Sequence, residues 1–483
     1  MSHDHRPFEE WCCCRRDFLG ALGAAGGLVA SGGLAAGEAA AQAEPRKKQA
    51  ATVRCVFLYP PPESLKKAGY WSWPGSGFDP VARQRDYTAR LRLIEQKLGI
   101  RLAIDDKPLE DAAATGRFIA ALKQAPPDAL LLVPFQKQHW AYVTRIVEET
   151  KIPAVVLATL GVLLVDHIRQ LHRRTGTYLV SSLDNLDAVE WGLTMVRTAR
   201  RMKDARLLNI SGAKTTESMV PGLGTQVRTI PHARFVEQYR RQEITPPVRE
   251  LAERYRTQAQ QIVEPTADDI LDAARACLAL RKLAEVEMAD AMMMECLSGL
   301  RLPHQHCPPC MGFMTLRDEG FPIGCQADLS ATLTLMLIQQ LFNRPGFQQN
   351  ASMDTEKNLY FGSHCTAPTK MNGRQAAAEP YILRSHAEAG WGCVPRVVFK
   401  AGQEVTMAQY LPGQQPQMLL YTGKIAGCPP TPPTGGCRSS VLVAIDEVAD
   451  VCDVKGMHQI IFYGNHGKQL RAFCQLYGIP TVS

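Results

Sequence analysis

The stretch DEGFPIGCQADLSATLTLMLIQQLFNRPGFQQNASMD, residues 318–354, contains a long apolar run, LSATLTLMLIQQLF, that reads as a buried helix. Polar residues flank it. Gln326 and Asp328 stand just before the run, and Asn350 lies 24 positions beyond Gln326. Upstream, DAMMMEC (290–296) reads as a buried strand whose Met292, Met293 and Met294 fill core volume.

Working toward the N-terminus, strands and helices alternate. TVRCVFLYP, ALLLVPF (129–135) and IPAVVLA (152–158) read as buried strands, with RQRDYTARLRLIEQKLG and QHWAYVTRIVEET as amphipathic helices. TYLVSS, the helix-like DNLDAVEWGLTMVRTARRM and ARLLNISG (205–212) begin a second alternating set, followed by a helix-rich, charged region over 235–287. Such alternation predicts an α/β protein with parallel sheets covered by helices. Beyond Asn350 the chain turns to Pro/Gly-rich loops and β-branched runs such as RVVF and SSVLVAID, which predict a β-rich domain. The expected layout is an N-terminal α/β domain over 52–175, a second over 176–361, and a β-rich C-terminal domain over 362–483.

Three further motifs, SHCTAP (363–368), GCR (436–438) and GNHG (464–467), together with the interval from Gln326 to Asn350, resemble the L-fucose/L-arabinose isomerase superfamily. The resemblance implies two Rossmann-like parallel-sheet domains followed by that family's β-rich C-terminal domain. In the family a divalent ion, usually Mn2+, sits on a glutamate, an aspartate and a histidine, where it polarises a sugar carbonyl and hydroxyl. Gln326 and Asn350 occupy the positions of the two catalytic acids, Asp328 matches the acid of the family's Glu-x-Asp, and His466 matches the metal-binding imidazole. The frame is kept but both acids are amides. An amide is a neutral oxygen ligand with no proton to exchange near neutral pH, so the metal is expected to be weakly bound or absent.

What the resemblance implies is thus a protein that binds a sugar or polyol at a degraded metal site. The alternative is a working aldose–ketose isomerase or related carbohydrate enzyme whose ligands are drawn from Glu295, His306, Asp328, Asp354 and His466. A third is a non-catalytic assembly protein, since the resemblance also implies a homo-oligomer. HQHCPPC (304–310) pairs Cys307 and Cys310 at C-x-x-C spacing beside His304 and His306, but no second cysteine pair stands at zinc-ribbon spacing, so a loop near the pocket is the expected role. GYWSWPGSGFD, following the first strand, clusters Tyr70, Trp71 and Trp73, whose faces suit stacking on a sugar ring or packing of the loop itself.

The N-terminus has a different logic. Paired Arg15 and Arg16, then Phe18 and Leu19, lead into a weakly apolar Ala/Gly-rich run ending at Ala41-Gln42-Ala43, the pattern of a twin-arginine export signal cleaved after residue 43. Residues 44–51 would then be a linker, and the expected location is the periplasm or another exported site of a bacterium, reached through the twin-arginine machinery. The run is short and broken by glycines, which argues against a stable membrane span.

The 483 residues carry a net charge of +7, with basic runs at 46–48, 172–174 and 197–201 that lack interleaved aromatics, so nucleic acid is not an expected partner. No phosphate-binding G-x-x-x-x-G-K-[ST], H-E-x-x-H or G-x-S-x-G occurs. Twelve cysteines follow residue 43, and few bridges are expected in a chain folded before export.

Overall fold

The computed structural model describes residues 48–64, 75, 77–183, 186–430 and 436–483. The signal-like segment and Tyr70, Trp71 and Trp73 lie outside them. The chain forms two compact units, one of Lys48–Arg201 with Gln469–Pro480, the other of Met202–Lys468 with Thr481–Ser483.

In the first unit, β1 (Thr52–Leu58), β2 (Arg101–Ile104), β3 (Ala129–Pro134), β4 (Ala154–Thr159) and β5 (Thr177–Ser182) form an all-parallel sheet in the order β2-β1-β3-β4-β5. β3 is buried at every position, as expected where helices cover both faces. Helix α1 (Pro80–Leu98) starts where the Asp79 carboxylate accepts from the amides of Val81 and Ala82, with proline pre-set at the first turn. It ends at Gly99 in the left-handed conformation.

β5 corrects the expected boundary at 176. TYLVSS does not open a second domain but closes the first sheet, pairing with β4 from Ala154↔Thr177 to Thr159↔Ser182. The segment Gln469–Pro480 also belongs to this unit. There Gln475 donates to the carbonyls of His172 (3.0 Å) and Thr177 (2.7 Å), and its own carbonyl accepts from the Gly176 amide.

The second unit holds three sheets: a small one in the order β16-β15-β9, of β9 (Gln261–Ile262), β15 (Tyr381–Arg384) and β16 (Val394–Val397), and two larger ones of different kinds. β6 (Arg206–Ile210), β7 (Thr216–Met219), β8 (Gln226–Ile230), β10 (Ala291–Met294) and β11 (Ile323–Cys325) form a sheet in the order β11-β10-β6-β8-β7, parallel except for β7. A larger, mostly antiparallel sheet runs β12-β20-β17-β18-β19-β14-β13, with β12 at Phe347–Gln348, β13 at Asn350–Asp354, β14 at Leu359–His364, β17 at Glu404–Leu411, β18 at Gln417–Gly427, β19 at Ser439–Ile445 and β20 at Ile460–Tyr463. It begins before residue 362 and lies in the same compact unit as the β6 sheet, so the expected cut at 361/362 does not separate them.

The buried helix foreseen in the opening stretch is Leu329–Phe342. Asp328 caps it, its Oδ1 accepting from the Ala331 amide at 2.8 Å, and Asn343 ends it in the left-handed conformation. Among the described residues no helix is long and apolar enough to cross a membrane.

A candidate site around Asp328, His458 and Asn350

The strand order sets the site. β12 pairs with β20 as Phe347↔Ile461 and Gln348↔Ile460, and Gln349 continues the pattern by donating to the carbonyl of Gln459. The same register brings Asn350 opposite His458. The imidazole is buried and held on both sides: Nδ1 lies 2.7 Å from Asp328 Oδ2, and Nε2 lies 2.7 Å from Asn350 Oδ1. Nδ1 donates to the Asp328 carboxylate, and the direction of the second bond follows which end of the Asn350 amide faces Nε2.

Backbone strain is concentrated here. Gln326 (φ 58°), Ala327 (φ 50°) and His458 (φ 59°) are all left-handed without being glycine. Each costs on the order of 1 kcal/mol or more, and such residues persist where surrounding bonds over-determine them. The bonds are present: the Ala327 amide donates to Met294 O at 2.9 Å, Asp328 N to Cys325 O, and Gln348 holds both the amide and the carbonyl of Cys325. Gln326 stands just past β11, half-buried, next to the capped start of the helix.

His364, in SHCTAP, packs nearly edge-on to His458 with ring centroids 5.9 Å apart. Its Nδ1 accepts from the Cys365 amide, which puts the proton on Nε2, and that buried Nε2 has no hydrogen-bond partner. Burial, with Arg317 and the neighbouring imidazoles adding to it, pushes its pKa down to about 3, so the ring is neutral. Cys437 approaches Asn350 Nδ2 at 3.7 Å, but its bond to the Cys365 thiol and its burial push its pKa well up. It is therefore not an activated thiolate.

Other residues singled out in the sequence fall elsewhere. His466 is not brought to this cluster. It lies flat on Phe462 (5.7 Å, 5° between planes) and against Phe342 (4.5 Å), the last residue of the Leu329–Phe342 helix. Fourteen residues at 1.5 Å each put that end about 20 Å from the Asp328 end. His458 precedes β20 and His466 follows it, so the two histidines stand at opposite ends of one strand. Asp354 ends β13 and serves the turn, accepting from the Lys357 amide at 3.0 Å and pairing with its ammonium. The twelve described cysteines are free thiols. Cys307 donates to Asp272 O, and burial raises it to about 12; Cys310, also raised by burial, packs with Cys365 and Val394. His304 is exposed and stacks on Trp391.

His306 and Glu295 belong to a second cluster in the same unit, together with His232, which sequence reasoning passed over although it opens a helix directly after a strand. Loops after parallel strands are where α/β sheets build sites, and that position was its available signal.

The donor set around His458 does not fit a divalent ion as it stands. It offers one carboxylate, one imidazole and one amide, and both ring nitrogens of the imidazole are already engaged within the set. Among the described residues, no three His, Cys, Asp or Glu side chains are grouped to hold a metal. What the arrangement can do is hold an imidazole between a carboxylate and an amide, the geometry of an oriented acid–base group.

Neither a search of protein-family models nor a search of curated proteins found a match to this chain.

Proposed function

We propose that this chain is an exported protein of the fucose/arabinose isomerase fold that binds a neutral sugar or polyol beside the Asp328–His458–Asn350 cluster, its parental metal site reduced to a hydrogen-bonded set. The carrying observation is the convergence of Asp328 and Asn350 on one imidazole, supported by three strained residues. The orphaned Nε2–H of His364 supports the same view, because a buried donor without a partner calls for a hydroxyl or a water. Mn2+ binding is proposed to be weak or absent, since the amides supply no negative charge.

A second reading is favoured by one observation. The Asp328–His458 pair at 2.7 Å is a carboxylate-oriented imidazole, which suits metal-independent proton transfer to or from a bound sugar. Turnover would then survive EDTA and vanish in His458→Ala.

Calorimetric titration of the full chain with aldoses, ketoses and polyols, in EDTA, tests the proposal. A member of the panel is expected to bind with a Kd below about 1 mM. Asp328→Asn and His458→Ala should each weaken it at least tenfold, whereas His466→Ala should not. If no sugar or polyol binds, or if the His458 variant binds as wild type does, the proposal is wrong. In the same instrument, Gln326→Glu with Asn350→Asp should raise Mn2+ affinity by at least tenfold, because one anion returns to the imidazole at position 350 and a second to the neighbouring end of β11. An unchanged affinity would remove the degraded-site interpretation while leaving sugar binding to stand on its own titration.

A further inference from the structure

The second cluster is built at the carboxyl ends of the β6 sheet. His232 opens the helix His232–Arg241 directly after β8, and Glu295 follows β10, the two strands that flank β6. His306 reaches the same place from the loop before the helix Cys310–Asp318. The two imidazoles present Nε2 to Nε2 at 3.2 Å. Two Zn–N bonds of 2.0–2.1 Å at a tetrahedral angle span about 3.3–3.4 Å. The pair is therefore separated by the bite that one ion requires.

The tautomer agrees with ligation. His306 Nδ1 donates to the Cys307 carbonyl at 2.8 Å, which leaves the lone pair of Nε2 bare. A backbone carbonyl on the other ring nitrogen is the usual support of a metal-binding histidine. The edge of Phe235 (centroids 5.0 Å apart) fixes the plane of the ring. Gly299 provides the space: a Cβ there would stand 2.0 Å from His306 Nε2. The charge of Glu295 acts on both imidazoles, while its carboxylate now accepts from the Ser298 amide and hydroxyl. Ser298 is exposed, so the carboxylate can turn from it without uncovering a buried group.

From this geometry we infer that His232 and His306 chelate a divalent ion of the imidazole-preferring class, of which Zn2+ is the probe; only the two imidazoles are in place without the ion, and Glu295, now bonded to Ser298 and not grouped with them, turns in as third ligand with water as the fourth. The bond between the rings, donated by His232 Nε2–H, is then the metal-free form; on binding, that proton passes through solvent to His232 Nδ1, and both Nε2 lone pairs face the ion. The site is separate from the His458 cluster and rests on no part of the sugar-binding proposal. A soft-to-borderline ion suits two nitrogens, whereas Mn2+ prefers oxygen.

The test is calorimetric titration of EDTA-treated, desalted full chain with Zn2+ and, separately, Mn2+. One Zn2+ per chain is expected, with much weaker Mn2+ binding. His232→Ala removes a ligand from a half-buried position at a helix start and should weaken Zn2+ by more than the roughly 10–100-fold that losing an outer-sphere partner costs. Gly299→Ala should also abolish the site, and Glu295→Gln should weaken it by about tenfold. X-ray absorption of the Zn2+-loaded wild type keeps the test independent of any variant's folding, and should show two imidazole nitrogens and no sulfur. Absence of stoichiometric Zn2+ binding, an unchanged affinity in His232→Ala, or a thiolate shell in the absorption spectrum would each overturn the assignment and leave the pair as a plain N–H···N hydrogen bond.

Discussion

Replacing Arg317 with methionine is expected to lower the unfolding free energy of the second unit by about 3–5 kcal/mol, because it strips the donors from several buried neutral acceptors. The guanidinium is 2% exposed, and all of its nitrogens work. Nε donates to Ile323 O at 2.8 Å, one terminal nitrogen to Thr366 O at 2.7 Å, and the other to Gln348 Oε1 at 3.0 Å. Burial draws its pKa down to about 10, so it stays charged at neutral pH. Methionine fills similar volume but leaves those acceptors without donors, at about 1–3 kcal/mol each before relaxation. Lysine would not rescue it, because a single ammonium cannot span three acceptors in a plane. Urea unfolding followed by two probes should show one transition moved and the other, belonging to the first unit, unmoved. A midpoint within about 1 kcal/mol of wild type would mean that the network is not a major support.

The second large effect is acid lability. His364 and His306 are held neutral by burial, their pKa values lowered from 6.5 to about 3 and about 4. A histidine depressed in the folded state contributes stability that is complete above pH 6.5. That contribution is lost as pH falls, because the unfolded chain takes up the proton first. At 1.36 kcal/mol per unit, the two together lose about 5 kcal/mol between pH 6.5 and 4.5. Asp318 works the other way. Burial raises its pKa to about 6, so its protonation in the folded state returns about 2 kcal/mol over the same window. These three groups together lose about 3 kcal/mol, a large share of a typical 5–15 kcal/mol, and the lowered His139, His232, His386 and His466 act in the same direction. Unfolding titrations at pH 7 and pH 4.5 measure it directly. In His364→Gln the loss should shrink by about half or more, and an acid loss identical to wild type would show that this histidine is not its source.

Much of the fold was legible because buried parallel strands are continuous apolar runs. ALLLVPF and DAMMMEC became β3 and β10, and the apolar run after Asp328 became the buried helix. What periodicity does not encode is which sheet a strand joins. TYLVSS has the same texture whether it opens a sheet or closes one, and only its pairing with β4 decides. The site was half legible for the same reason. Asp328 and Asn350 flank an obvious helix, whereas His458 sits in an unremarkable GMHQII and reaches Asn350 through a strand register spanning more than a hundred residues. His466 lies between glycines and looks like a motif, yet its ring is packing for Phe342 and Phe462.

The return of Gln469–Pro480 to the first unit has a consequence for biosynthesis. The carbonyls of His172 and Thr177 receive their donor from Gln475, which leaves the ribosome only after the whole of Met202–Lys468 has been made. All five strands of the parallel sheet are therefore made early, but the unit that holds them lacks its 469–480 segment until the whole of 202–468 has been synthesised. Until residues 469–480 have been made, the surface they cover stays exposed on a sheet whose strands are all already synthesised, a span in which the early unit is open to non-native contacts.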